Sequence, residues 1–526
     1  MSASHILKLY TQTPQVKQIK ESLAGENSSR FHIKGLAGSA ASVLGGVLFD
    51  STPFSHIFIL PDHSSAAYFF NDLQHFFNEN ELPSEHRNVF FFPHSYKQPY
   101  VFENSLNANV LMRSEVLNRM SSGKHHVALV TYPDALSEKV VNKKTLHNNL
   151  LRLAKGEKVS LDFIMDILIE FEFERTDFVY EPGQFSIRGG IIDIFSYSNE
   201  LPYRIEFVGD AVASLRTFDP VTQLSKEIVE RIEIFPDMQK IEVIEKRESL
   251  FAFMEGYSVV WAEDVLFVSE KLETAYRKAE EAYRQLTKVV RQIQPQDLYV
   301  SGNEFLKGIV SFPLIELGSK SYFKDAVKLS FNFTPQPVFN KNFELLFDEL
   351  SKNSDLGFRN LILTDTAKQS ERINSILEEA KVNRQTQEVL QWEVLALSLH
   401  EGFIDKENKI ACYTDHQIFE RYHRFTIRDN YHSKEALTLK EIYNLTPGDY
   451  VTHIDHGIGR YDGLETIDLN GKKQEALRII YKESDLLYVS IHSLHRISKY
   501  IGKEGTAPTL NRLGTNAWNK LKEKTK

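Results

Sequence analysis

The first quarter of the sequence alternates short apolar segments with segments of helical period. The apolar segments include residues 31–33, 56–60 and 126–130, and residues 66–79 carry apolar side chains at helical spacing. Strands and helices that alternate in this way form βαβ units around a parallel sheet. We therefore predict a parallel α/β domain. The whole chain, at 526 residues, is long enough for about three or four domains of the α/β and α+β classes.

Charge and composition exclude several classes of protein. The 62 Lys and Arg minus the 71 Asp and Glu leave a net charge of -9, which excludes a chain-wide basic surface, so we expect DNA to bind weakly. Cys412 is the single cysteine and cannot form an internal disulfide. No apolar run approaches the roughly 18 residues of a membrane span, and residues 1–20 do not form a signal peptide. These features predict a cytoplasmic protein with no membrane partner.

A turn between a predicted strand and a predicted helix has the position of a phosphate-binding loop. Gly35, Gly38 and Ser42 suit such a loop, but Ala40 and Ala41 stand where a second glycine and a lysine are needed. Without the ammonium group, the β- and γ-phosphates of ATP are not neutralised. We therefore expect a degenerate loop that packs a helix on the sheet, no bound cofactor and no catalysis.

The histidines of the last hundred residues invite a metal interpretation. His453 and His456 flank Asp455, and His492 and His495 follow, but no cysteine accompanies them. Strand packing and turn hydrogen bonds explain the first two, so we expect no metal site. The sequence also offers no nucleophile elbow and no Cys and His pair, which argues against a hydrolase.

A strand-rich segment follows the first α/β pattern. Residues 156–210 hold four basic and twelve acidic side chains, a net charge of -8 that predicts a protein partner instead of nucleic acid.

The glycines of residues 439–500 separate short strands as in a small barrel. The predicted divisions are 1–136 and 213–330 for the two parts of the α/β domain, 137–212 for an inserted α+β domain, 331–430 for a small α/β domain of unknown role, 431–438 for a linker, 439–505 for a C-terminal β-barrel and 506–526 for the start of another linker.

Two long segments resemble known families. Residues 181–225, EPGQFSIRGGIIDIFSYSNELPYRIEFVGDAVASLRTFDPVTQLS, resemble a segment shared by the excision-repair helicase UvrB and the bacterial transcription-repair coupling factor (Mfd) family. Residues 448–500, GDYVTHIDHGIGRYDGLETIDLNG continuing to YVSIHSLHRISKY, resemble the RNA-polymerase-interacting domain of that family and of CarD-type regulators. Both segments in this order indicate the N-terminal half of a coupling factor. One departure is Ser196, where the family usually has proline.

The resemblance implies two sets of contact residues. For the inserted domain it implies binding of UvrA, with candidate contacts at Arg175, Arg188, Phe195 and Arg204. For the C-terminal domain it implies binding of the RNA polymerase β subunit, with candidate contacts at Leu464, Thr466 and Ile467. The residues alone leave alternatives open: the arginines pair with the surplus carboxylates in solvent, Phe195 is a core residue, and Ile467 faces inward.

The function that the resemblance implies is a non-catalytic scaffold that recruits UvrA to stalled RNA polymerase in nucleotide excision repair. In the family, ATP and Mg²⁺ serve a translocase motor that follows the polymerase-interacting domain, and we expect that motor to be absent here. Two alternatives are an active UvrB-like helicase, which Ala41 opposes, and a stand-alone CarD-type polymerase regulator, which the long UvrB-like half opposes.

Overall fold

The structure, a computed structural model, describes residues 4–25, 29–80, 82, 86–95, 99–100, 107–121, 126–220, 222–236, 247–254, 258–285, 293–383, 391–421, 445–453, 455–469, 472–490, 497–500 and 508–513. Its contacts divide the chain into two compact units, Met1–Leu150 with Asp237–Arg428, and Leu151–Pro236 with Asp429–Lys526. The predicted linker at 431–438 lies outside the described residues, as does all but 508–513 of the predicted linker at 506–526.

The N-terminal part of the first unit alternates helices and strands. Its helices are α1 (Ser4–Tyr10), α2 (Pro14–Gly25), α3 (Ala40–Ser51), α4 (His63–Phe77), α5 (Asn107–Ser121), α6 (Pro133–Leu136) and α7 (Lys143–Asn148). Its strands are β1 (Arg30–Lys34), β2 (Ser55–Ile59), β3 (Val89–Phe91), β4 (Ala128–Thr131) and β5 (Val140–Val141).

The inserted segment is mostly strand. It consists of β6 (Leu151–Ala154), α8 (Leu161–Glu170), β7 (Glu174–Arg175), β8 (Gln184–Arg188), β9 (Ile191–Ile194), β10 (Tyr203–Val208), β11 (Ala211–Phe218), β12 (Ser225–Val229) and β13 (Arg231–Ile234).

The chain then returns to the first unit and completes its α/β domain. The elements are β14 (Arg247–Glu248), α9 (Leu250–Phe253), β15 (Ser258–Ala262), α10 (Val265–Gln285), α11 (Pro295–Leu298), α12 (Gly302–Ile309), β16 (Leu314–Leu317) and β17 (Val327–Ser330).

The remaining elements belong to two further sheets. The first set is β18 (Phe333–Pro335), α13 (Phe343–Asp355), β19 (Arg359–Thr364), α14 (Ala367–Asn383), β20 (Trp392–Ala396), β21 (Phe403–Asp405), β22 (Ile410–Thr414) and α15 (Asp415–Ile418). The second set is β23 (Tyr450–His453), β24 (Gly457–Leu469), β25 (Lys472–Ile480), a 3₁₀ turn (Lys482–Ser484), β26 (Leu486–Ser490) and β27 (Ile497–Lys499).

A seven-stranded sheet in the order β17-β1-β16-β15-β2-β4-β3 forms the main domain of the first unit. Every neighbouring pair is parallel, which confirms the predicted parallel α/β domain. Its interior is largely apolar, and a buried pair of polar side chains bonds within it: the indole N–H of Trp261 donates to Nδ1 of His56 at 3.0 Å. Burial lowers the pKa of His56 to about 3, so this imidazole is neutral and can accept that bond.

The inserted domain has a six-stranded sheet in the order β12-β11-β10-β9-β8-β7 and a separate β6–β13 pair. The predicted boundary of 137–212 is therefore wrong. Strands β11 and β12 continue the antiparallel sheet that includes β10, and β13 pairs with β6, while β5 pairs with β14 in the first unit. The inserted domain runs from Leu151 to Pro236, because the tight turn at Gly209 returns the chain to the same sheet.

The small α/β domain has its own five-stranded sheet, in the order β18-β21-β22-β19-β20. Its core packs α13 and α14 on the sheet through residues that include Leu346, Phe347, Ile362, Ile373 and Tyr413. Leu361 lies on a strand that is parallel to both of its neighbours. Residues 333–418 thus hold a separate sheet within the first unit, and the division of 331–430 as a domain stays a prediction.

The C-terminal sheet is antiparallel, in the order β26-β25-β24-β23-β27. Val451, Leu477, Ile479, Tyr481 and Ile497 form its buried core. Closure of this sheet into a barrel stays a prediction.

Candidate functional sites

The segment predicted to be a degenerate phosphate loop joins β1 to α3. Gly35 and Gly38 have φ angles of 78° and 53°, a left-handed conformation that favours glycine. Ala40 and Ala41 begin α3, and the hydroxyl of Ser42 donates to Oδ2 of Asp72 at 2.7 Å. Ser42 therefore serves a contact inside the protein.

A cavity of about 530 Å³ lies over this loop. The described residues that line it include four carboxylates, Asp62, Asp72, Glu263 and Glu401, but no Lys or Arg. Burial raises the pKa of Glu263, and the carboxylates of Asp62 and Asp264 act in the same direction. The lining has no basic side chain that could neutralise phosphate groups. The absence of ATP binding stays a prediction, and the lining gives it a second reason besides Ala41.

In the inserted domain, two of the predicted contact residues share one buried carboxylate. Asp193 on β9 is fully buried. Arg204 donates to it through Nε at 2.7 Å and through Nη2 at 2.9 Å, and Arg188 donates through Nη2. The expectation that these arginines pair with carboxylates in solvent is therefore wrong, because the carboxylate they share is excluded from water.

The two guanidinium groups differ in exposure. The side chain of Arg204 is 14% exposed and lies over the ring of Phe218 at 4.3 Å. The side chain of Arg188 is 38% exposed and lies over the ring of Phe178 at 4.8 Å. Arg204 is mainly structural, whereas Arg188 also presents part of its surface to solvent.

Phe195 and Arg175 lie apart from this cluster. Phe195 is fully buried against Val179 and Phe218, as its core alternative has it, and its contact with UvrA stays a prediction that this burial opposes. Arg175 is exposed on β7, an edge strand of the six-stranded sheet.

The sequence analysis missed two exposed apolar side chains on α8. Ile164 and Leu168 are fully buried, whereas Phe163 and Ile169 are 54% and 58% exposed. The signal was present in the sequence, since LDFIMDILIE carries apolar residues around the whole helix. Such a helix exposes large apolar side chains even after one face is packed.

Strands β24 and β25 form a ribbon that extends beyond the rest of the C-terminal sheet. Strand β24 pairs with β25 from Arg460 to Leu469, but with β23 only from Gly457 to Arg460. Beyond Arg460, no described strand lies along its other edge. The predicted contact residues Leu464, Thr466 and Ile467 all belong to this part of β24.

Of those three residues, the structure describes one side chain. Leu464 is 42% exposed. The backbones of Thr466 and Ile467 lie opposite Glu475 and Gln474, while their side chains lie outside the described part of the protein.

A group of polar side chains beside this ribbon was also missed. Arg478 on β25 contacts Asp462 at 2.5 Å and Glu465 at 3.1 Å, and the hydroxyl of Tyr488 donates to Glu465 at 3.2 Å. These contacts depend on strand register, which the sequence pattern alone does not supply.

The candidate metal residues are only partly described. His453 is buried, and its Nδ1 accepts the backbone N–H of Asp455 at 3.1 Å, while its ring stacks on that of His456 at 4.7 Å. His492 and His495 lie outside the described residues. Within the described ranges, no group of three or more His, Cys, Asp or Glu is arranged to hold a metal ion. Likewise, no described helix has both the length and the apolar character needed to cross a membrane.

Comparison with known proteins agrees with the resemblance of both domains. Residues 151–239 match the UvrB interaction domain, and residues 445–501 match the CarD-like/TRCF RID domain. The transcription-repair-coupling factor of Bacillus subtilis (strain 168) is 26% identical over 94% of this chain and 47% of its own length. That of Staphylococcus aureus (strain USA300) is 24% identical over 78% of the chain and 41% of its own length. The chain therefore spans less than half the length of each of these relatives. Over most of its own length it is similar to the transcription-repair-coupling factor (Mfd), and a match to the UvrB interaction domain is followed by a match to the CarD-like domain.

Proposed function

We propose that this chain is the scaffold part of a transcription-repair coupling factor, which binds the RNA polymerase β subunit through its CarD-like domain and UvrA through its inserted domain. The observation that carries the proposal is the presence of both domains in one chain. A CarD-type regulator alone accounts for only one of these domains. The acidic cavity over the degenerate loop supports a role without nucleotide chemistry in this part of the protein.

The UvrA surface in this proposal consists of the exposed groups around β7 and β8. Arg175 and the half-exposed Arg188 supply its positive charge, and the exposed Phe163 and Ile169 of α8 belong to the same domain. Arg204 supports Arg188 indirectly, because both bind the carboxylate of Asp193. Phe195 stabilises the inserted domain because it packs in its core.

Reversing the charge of Arg175 is expected to weaken UvrA binding by about 1–3 kcal/mol, because it adds repulsion to a lost pairing. Arg175→Glu is the clean variant, since a glutamate at 188 would also face the buried Asp193. The affinity is measured by calorimetry with purified UvrA. Arg231→Glu is the matched control, because Arg231 is also exposed but lies on β13, in the separate two-stranded pair. Equal affinity of Arg175→Glu and the parent chain would remove β7 from the surface.

The polymerase surface in this proposal is the open edge of β24 beyond Arg460. An exposed strand edge recruits a partner strand through main-chain hydrogen bonds, and alternate side chains supply the specificity. Residues 440–503 hold nine basic and nine acidic side chains, so their net charge is zero and a protein partner suits them better than DNA. Ile467 lies on this open-edged part of the strand.

Truncating Ile467 is expected to weaken binding of the polymerase β subunit. Ile467→Ala should cost about 1–3 kcal/mol, and Ile467→Lys more, because the lysine must lose its hydration at the interface. Surface-immobilised polymerase measures both affinities. Ile228→Lys makes the same change on β12 of the inserted domain, where Ile228 is 78% exposed, and should bind as the parent does. Undiminished binding by folded Ile467→Lys would show that the contact strand is misplaced.

A further inference from the structure

The degenerate phosphate loop contacts a segment of the small α/β domain, residues 398–402, which we name the docked segment. The backbone N–H of Ser39 donates to the carbonyl oxygen of Glu401 at 3.2 Å. In return, the backbone N–H of Glu401 donates to the hydroxyl oxygen of Ser39 at 3.0 Å. The N-terminal end of α3, which binds phosphate in an intact loop, is thus bonded to the chain's own backbone.

Asp72 on α4 completes this contact from the other side. Its side chain is buried, with Oδ1 accepting the backbone N–H of His400 at 2.8 Å and Oδ2 accepting the hydroxyl of Ser42 at 2.7 Å. The ring of His400 stacks on that of Tyr68 at 3.5 Å. One carboxylate therefore joins the phosphate-loop helix to the docked segment.

The docked segment approaches the loop backbone closely at Gly38. A Cβ added at Gly38 would lie 2.4 Å from the carbonyl oxygen of Gly402, and Gly38 also has a positive φ. A glycine turn before a helix lets a phosphate approach the backbone in a nucleotide-binding loop. Here the same kind of turn lets a second stretch of backbone approach.

We propose that the degenerate phosphate loop is an internal docking site for residues 398–402, and that the protonation state of Asp72 controls how firmly this segment is held. The proposal concerns the first unit alone and does not depend on either partner of the proposed function. It gives the lost nucleotide site a new role, which is to join the parallel-sheet domain to the small α/β domain.

The charges around Asp72 determine the direction of the pH effect. Burial is the main reason that its pKa is raised to about 7; the carboxylate of Glu401 acts in the same direction, while bonds from Ser39, Ser42 and the His400 N–H oppose the rise. The imidazole of His400 is also close, with its Nε2 at 3.9 Å from a carboxylate oxygen of Glu401. Burial lowers the pKa of both His75, on the same helix, and His416, whose Nε2 lies 2.7 Å from the His400 carbonyl oxygen. Asp365, which accepts the Ser398 hydroxyl at 2.6 Å, adds negative charge.

The raised pKa of Asp72 determines whether docking strengthens or weakens as the pH rises. Burial raises the pKa of Asp72 in the docked state, and release would expose this carboxyl to water and return its pKa toward the ordinary value of about 4, so the docked state favours protonated Asp72. Docking is therefore firmest below the ordinary pKa and weakens as the pH rises from about 4 through about 7. Between about pH 5.5 and about pH 8, the docking equilibrium should fall by about tenfold or more.

Hydrogen exchange of the His400 and Glu401 amides in the full chain tests the proposal. The exchange rate of each amide is divided by its intrinsic exchange rate at the same pH, because the intrinsic rate itself changes with pH. In the parent chain, protection should be lower at about pH 8 than at about pH 5.5 by about tenfold or more. Asp72→Ala removes the acceptor and should lower protection at both pH values by about tenfold or more. Asp72→Asn keeps an acceptor without a charge and should hold its protection across the range.

Two further measurements keep the test decisive. Protection of β15 shows whether the parallel sheet remains folded in each variant. If Asp72→Ala fails to fold, Ser39→Ala, which removes only the acceptor of the Glu401 N–H, should still speed exchange of that amide by about tenfold. Equal protection of these two amides in the parent and the folded variants would overturn the docking role. A pH response of Asp72→Asn like that of the parent would overturn the role of Asp72.

Discussion

Replacing Asp193 with alanine is expected to destabilise the inserted domain by about 3 kcal/mol, because the change leaves two guanidinium groups without the buried carboxylate that they share. Asp193 is fully buried, and Arg204 is held within the domain at 14% exposure, so its charge cannot simply move into water. Asp193→Asn keeps one acceptor and should lose less, about 1–2 kcal/mol. The measurement is urea unfolding of the full chain, read from hydrogen exchange of β9 and β10.

Glu206→Ala is the matched control for Asp193. Glu206 lies on β10 and pairs with Arg216 at 3.0 Å, but these side chains are 44% and 30% exposed. An ion pair in contact with water contributes little, so its loss should cost less than about 1 kcal/mol. Equal losses for Asp193→Ala and Glu206→Ala would contradict a special role for the buried carboxylate.

Phe195→Ala is expected to cost about 3–5 kcal/mol, because it opens a cavity among fully buried side chains. Phe195 packs against Val179 and Phe218, and Arg204 lies over the Phe218 ring. The variant should therefore weaken UvrA binding only to the extent that it unfolds the domain. Unfolding measured as for Asp193, together with calorimetry against UvrA, separates these effects.

Two other variants decide how the Phe195 result is interpreted. Phe195→Leu keeps most of the volume and should bind UvrA as the parent does. Phe163→Ala, at a position that is 54% exposed, should change stability by less than about 0.5 kcal/mol. If folded Phe195→Leu loses UvrA affinity, Phe195 acts at the interface despite its burial.

The sequence predicted the parallel sheet well because its signal is local. Residues 31–33, 56–60 and 126–130 correspond to β1, β2 and β4, and the helical period of 66–79 corresponds to α4. The order of the strands is a different matter. Strands β15, β16 and β17 follow an insertion of more than eighty residues, and no local pattern shows that β16 pairs with β1.

The inserted domain shows where strand pattern alone is insufficient. Alternation in 203–207 correctly predicted a strand, β10, but period two does not say to which sheet the next strand belongs. The turn at Gly209 and Asp210 connects β10 directly to β11, so the domain continues to Pro236. A tight turn between two alternating segments was the available signal for this pairing.

The sequence could not show which of the candidate contact residues bind a buried group. Asp193 stands between Ile192 and Ile194 in a strand pattern that normally exposes the middle residue, yet all three are fully buried. The cause is the cover provided by Arg188 and Arg204, whose side chains converge on Asp193 from β8 and β10. Sequence reasoning found both arginines but could not identify the carboxylate that brings them together.

The measurement that tests the coupling role most directly is a bridging experiment. RNA polymerase is immobilised, UvrA is added with or without the purified chain, and retained UvrA is quantified. We predict that UvrA is retained only when the chain is present, and that both Arg175→Glu and Ile467→Lys reduce this retention, each by breaking a different contact. Retention of UvrA without the chain, or failure of the chain to retain UvrA although it binds polymerase and UvrA separately, would contradict the proposed scaffold.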